Sequence, residues 1–118
     1  GKHMDKAAAD ERLGVRTLPV LLGQEASGQL CRLLVGLQWL ILLYLLASHQ
    51  AWYLAATVIA LPAALRLFRQ LRHDRPLHCP ADYPSDIWPL WYSAPAFRYA
   101  ANFGLGLLAG LALYQLVY

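Results

Sequence analysis

The residues best suited to chemistry stand together at positions 5–23, DKAAADERLGVRTLPVLLG. Asp5, Asp10 and Glu11 supply carboxylates; Lys6, Arg12 and Arg16 supply cations. Mg2+ is a hard ion, commonly held by one or two carboxylates together with phosphate oxygens. Neighbouring cations then balance the remaining phosphate charge. A diphosphate carried on a lipid chain suits such a set at a membrane face. Gly14 permits a left-handed backbone turn, Thr17-Leu18-Pro19 starts a return, and Gly23 breaks the chain again. On charge alone, the simpler reading is a solvated arm of mixed charge.

The rest of the chain must position that segment, and it is apolar. Of 118 residues, 58% are hydrophobic and 14% charged, with a mean hydropathy of +0.37. Soluble domains carry roughly 25% charged residues. No Asp, Glu, Lys or Arg occurs between residues 33 and 65. That run is too long for one straight span, since about 20 residues cross the hydrocarbon core. It breaks at Ser48-His49-Gln50. The pattern predicts three transmembrane helices, at about residues 28–48, 51–71 and 99–118, in an all-α integral membrane bundle. In a soluble protein of this length, such helices would leave very large apolar patches in water. The polar start of the chain shows no secretory-signal pattern. Pro62 is expected to kink the second helix. Gly106 and Gly110 form a GxxxG pair. Such pairs let helix backbones approach closely, here within the chain, with a homodimer face as the alternative.

Lys2, Lys6, Arg12, Arg16 and Arg32 precede or begin the first helix, and Arg66, Arg69, Arg72 and Arg75 end the second. The turn around His49 has neither Lys nor Arg. Positive residues favour the cytoplasmic side. The N-terminal segment and the 72–98 connection are therefore expected in the cytoplasm, with the His49 turn and the C-terminus outside. That connection carries five prolines and the rings Trp88, Trp91 and Tyr92. The rings read as an interfacial belt, or as the wall of a pocket facing a reacting cation. Asp82 and Asp86 flank Pro84 in the same connection as a lesser metal-binding candidate. Cys31, Cys79 and the four histidines show no zinc spacing, and nothing points to nucleic acid.

Residues 10–23, DERLGVRTLPVLLG, resemble the second aspartate-rich motif of the UbiA-type membrane prenyltransferases. Asp10, Gly14, Arg16, Thr17, Leu18, Pro19, Val20 and Gly23 fall on its pattern. The WPLW run at residues 88–91 also resembles the connection before the last helix in quinone-pathway members. The resemblance implies a nine-helix fold, of which residues 1–118 would be the C-terminal portion with its last three helices. It implies Mg2+-dependent transfer of a polyprenyl group from its diphosphate to an aromatic acceptor, as in menaquinone- or ubiquinone-like quinone biosynthesis, in a bacterial inner membrane. Asp10 would hold metal, with Asp5 as a second ligand. Lys6, Arg12 and Arg16 would contact the diphosphate, and Trp88, Trp91 and Tyr92 would line the pocket. The family's carboxylates stand four apart, whereas Asp5 is five before Asp10. On a helix those two positions leave different faces, so Asp5 joins Asp10 only where the chain is not helical; otherwise Glu11 contributes in its place, or Asp5 plays no part. The family's other aspartate-rich motif belongs to an N-terminal half outside this sequence, so the portion is expected to be inactive alone. The alternative is a small non-catalytic membrane scaffold or assembly protein, binding a partner or anionic lipid through the glycine face and the cytoplasmic basic loops.

Overall fold

A computed structural model describes residues 1–48 and 51–117. Helix α1 spans Lys2–Arg12, α2 Leu18–Leu22 and α3 Gln24–Ser48. A 3₁₀ segment, Trp52–Ala60, runs directly into α4, Leu61–Gln70, and α5 spans Ser93–Val117. The described residues contain no strand. Three helices are long and apolar enough to cross a membrane: α3, the composite Trp52–Gln70, and α5. The expected turn at His49 and Gln50, and the end of the third helix at Tyr118, lie outside the described residues.

The number of long helices agrees with the sequence, but their bounds differ. The first starts at Gln24 rather than near residue 28. Gly23 breaks the chain at φ +81°, and its carbonyl immediately accepts hydrogen bonds from Ser27 N and Ser27 Oγ. Glu25 and Arg32 sit within this first part of the helix without ending it. The third starts at Ser93 rather than near residue 99, because a carboxylate from α1 caps it there. The second ends at Gln70.

Pro62 does not kink a continuous α-helix. It stands in the first turn of α4, where its missing N–H leaves no helical bond unmade. In an α-helix interior its ring would press on the carbonyl one turn back. The chain avoids that clash by running as 3₁₀ up to Ala60.

The composite second helix and α5 run antiparallel and nearly touch along the backbone. A Cβ added at Gly106 would lie 2.6 Å from Thr57 Cα, and one at Gly110 would collide with the Tyr53 carbonyl oxygen. The glycine pair is therefore used within the chain. Ala60, Ala63, Ala64, Leu67 and Leu71 continue the seam and are buried together with Tyr92, Tyr99 and Met4. In contrast, α3 buries only Ser27, Gly28 and Leu42. It meets α5 through the edge-on pair Trp39–Phe103, 6.1 Å between centroids, and through Tyr99 Oη donating to Gln38 Oε1 at 2.8 Å.

Candidate functional site

α1 ends at Arg12, directly after its third carboxylate, Glu11, and two residues after Asp10. Gly14 takes φ +69°. Val15 N donates to Asp10 O at 2.8 Å and Gly14 N to Glu11 O at 3.1 Å. These two bonds form a Schellman stop, which favours glycine at the left-handed position. Asp10 thus supplies the last-turn carbonyl that closes the helix, and its side chain is held at the helix end. That side chain is 17% exposed, and its Oδ2 lies 3.8 Å from His3 Nδ1. Thr17 then opens α2 with extended backbone, and Pro19 occupies the first turn. Gly23 N returns to Pro19 O at 2.9 Å. The Thr17 hydroxyl is buried without a hydrogen-bond partner among the described residues.

Asp5 faces the opposite way. α1 is helical throughout residues 5–10, so a five-residue offset turns Asp5 and Asp10 roughly 140° apart. The Asp5 carboxylate enters the protein, where the residue is 8% exposed. Its Oδ1 accepts from Tyr92 N at 2.9 Å, and Oδ2 accepts from Ser93 N at 2.8 Å and Ser93 Oγ at 2.5 Å. The Asp5 main-chain carbonyl also accepts from Arg75 Nη1. A carboxylate at a helix N-terminus satisfies orphan N–H groups and suits the helix dipole. The cap of α5 therefore comes from a residue in another helix. Sequence reasoning missed it because the usual cap signal is local. The available clue was Ser93, a small hydroxyl residue among prolines and rings.

This contact places α1 at the same end of the long helices as the connection between α4 and α5. Lys6, Arg12 and Arg16 are all exposed there. Among the described residues no three His, Cys, Asp or Glu side chains gather as a metal cage. Mg2+ keeps waters and substrate phosphates among its ligands, so a single carboxylate such as Asp10 is chemically compatible with that ion. Asp82 and Asp86 are exposed.

The rings of the connection form one cluster. Tyr83 lies 5.1 Å from Trp91 and 6.1 Å from Trp88 between centroids, and the Arg75 guanidinium sits 5.3 Å from the Trp88 ring centroid. Tyr83 Oη donates to Leu90 O at 3.0 Å. Burial raises its pKa above the ordinary 10.0, with nearby Asp5 and Cys79 adding to the rise. Tyr92 stands apart from this stack. It lines an apolar cavity of about 240 Å³ between α3, α4 and α5, with Cys31, Val35, Leu67 and Tyr99. Its hydroxyl donates to His73 O at 2.9 Å and accepts from Gln24 Nε2 at 2.5 Å. Burial, chiefly, pushes its pKa up as well. Of the three rings expected to line a pocket, Tyr92 lines this cavity while Trp88 and Trp91 stack with Tyr83. Compared with protein-family models, curated proteins and solved structures, the chain matches none.

Proposed function

We propose that the chain is the C-terminal portion of a Mg2+-dependent membrane prenyltransferase. It would transfer a polyprenyl group from its diphosphate to an aromatic acceptor in quinone biosynthesis. The observation that carries this reading is the stop after Asp10. Both glycines of the resembling motif, Gly14 and Gly23, take positive φ and hold the acidic helix end against a short return helix.

Asp10 is the carboxylate that holds the metal in this reading. Bound there, Mg2+ supplies charge that stabilises the departing diphosphate. Lys6, Arg12 and Arg16 bind phosphate oxygens from the same end. Asp5 fixes α1 on α5 and so positions Asp10, in place of the second-ligand role expected for it. The apolar cavity beside Tyr92 takes part of the prenyl chain and keeps water from the reacting carbon. The aromatic acceptor stacks near Trp88 and Trp91. The remaining helices of a nine-helix fold, with the other aspartate-rich motif, pack on the apolar side of α3. The end carrying α1 and the connection faces the cytoplasm of a bacterial inner membrane.

The test joins the chain to an N-terminal half carrying the other motif and follows transfer of labelled prenyl from its diphosphate to hydroxybenzoate or dihydroxynaphthoate. Mg2+-dependent product is expected, and Asp10→Ala lowers the rate by about 10²–10³-fold, the scale of losing one charge-stabilising group. Unchanged Mg2+-dependent turnover in Asp10→Ala removes Asp10 from the site. No transfer to any acceptor rejects the enzyme reading.

A further inference from the structure

A second cavity, of about 440 Å³, opens on another part of the surface between α4, the start of α5 and the connection. Arg66 and Arg69 of α4 and Arg98 of α5 all line it, and no carboxylate does. All three are exposed. None has a hydrogen-bond or ion-pair partner among the described residues. Gln70 lines the same cavity, and its Nε2 is buried without a partner among the described residues. Three like charges and an unused amide donor thus converge where no protein anion answers them. Arginines in spanning segments ordinarily find a partner, and Arg66 and Arg98 lie inside two of the segments apolar enough to span. Guanidinium groups match phosphate oxygens geometrically as well as by charge.

The depth of the cavity selects the kind of anion. It lies at the ends of two long helices, the level at which a bilayer carries its head groups. Its remaining walls include Ala63, Ile87, Ala94 and Pro95. Two turns beyond Arg98, on the same face of α5, Leu105 is 59% exposed. A ligand here meets cations at one end and apolar surface along the helix.

We propose that this cleft is a binding site for one anionic phospholipid. Its phosphate is held by Arg66, Arg69, Arg98 and Gln70, and its acyl chains lie along α5. The site needs no metal and no carboxylate, so it is independent of the prenyltransfer reading.

The experiment uses the full chain, purified in mild detergent with EDTA. Native mass spectrometry counts bound phosphatidylglycerol against phosphatidylcholine of identical chains. One phosphatidylglycerol is expected to be retained in preference. The triple variant R66Q/R69Q/R98Q loses at least about tenfold of that preference, since each basic residue contributes several-fold to anionic-lipid binding. The charge-keeping set R66K/R69K/R98K retains it in part, and Arg72→Gln, outside the cleft, leaves it unchanged. Circular dichroism establishes that each variant keeps its helix content; single R69Q and R98Q variants, each with a several-fold loss, replace a triple variant that does not. Full preference in folded variants overturns the proposal, as does an equal loss in Arg72→Gln. Inorganic phosphate at millimolar concentration should not displace the lipid; complete displacement overturns the assignment to a lipid. Asp10→Ala leaves the preference intact, so this proposal and the prenyltransfer reading fail separately.

Discussion

Asp5 offers the sharpest test of how the polar segment is held. Its carboxylate accepts from Tyr92 N, Ser93 N and Ser93 Oγ, and those two residues are 1% and 2% exposed. In Asp5→Ala both main-chain N–H groups lose their partner, and each buried orphan costs about 1–3 kcal/mol. The Ser93 hydroxyl can rotate elsewhere, and the variant no longer buries a carboxylate, which offsets part of the loss. The net expectation is a destabilisation of about 3 kcal/mol. Asp5→Asn keeps one acceptor oxygen but turns an amide donor toward another donor, so about 1–2 kcal/mol is expected from the same source. Ser93→Ala costs about 1 kcal/mol, the net worth of one hydrogen bond. The assay is equilibrium unfolding in mixed micelles, followed by circular dichroism. The Asp5→Ala/Ser93→Ala cycle should show a coupling of at least about 0.5 kcal/mol. Changes below about 0.5 kcal/mol for both Asp5 variants, with no coupling, would mean that α1 is not docked on α5.

Gly110→Ala should destabilise strongly, because its Cβ meets the Tyr53 carbonyl. Gly104, which has open space around the same added atom, should accept alanine with a gain of up to about 1 kcal/mol from helix propensity; unfolding midpoints compare the two. Gly14→Ala meets no atom within 4 Å but keeps φ +69°, so it should cost about 1 kcal/mol through backbone strain alone, read as a lowered melting temperature. Tyr83 and Tyr92 have folded pKa values raised above 10.0. A raised folded pKa means stability that is complete below about pH 10 and lost as pH climbs through the folded values. Tyrosinate absorbance should therefore lag behind that of the unfolded chain, and the melting temperature should fall only on the alkaline side. Coincident titration curves for folded and unfolded chain would contradict the raised pKa values of both tyrosines.

The long helices were legible because apolar runs without charge leave few alternatives to a buried or spanning helix. The glycine spacing also pointed correctly to close packing, and Gly106 and Gly110 meet Thr57 and Tyr53 as that packing requires. The start of α5 was not legible. It depends on Asp5, 88 residues earlier in the chain than Ser93, and no local window contains both. Pro62 was read as a kink, yet the chain changed helix type upstream of it. In the polar segment, Gly14 and Gly23 were read as turn residues and are. The face reached by Asp5 depended on whether residues 5–10 were helical, which charge pattern alone did not decide. The arginine cleft was hidden for a related reason: Arg66 and Arg98 converge only once α4 and α5 have folded back on each other.

The Asp5–Ser93 contact also sets an order of events during synthesis. A chain made at about 5–20 residues per second leaves Asp5 waiting for Ser93 for roughly 5–20 s. During that interval its carboxylate remains hydrated, and α1 has no α5 to dock on. Closing so long a loop carries an entropic cost, and the contact becomes favourable only once the start of the last long helix is presented. Docking of α1 therefore waits on the first residues of α5, and the acidic segment, although made first, acquires its fixed position only after most of the chain has been made.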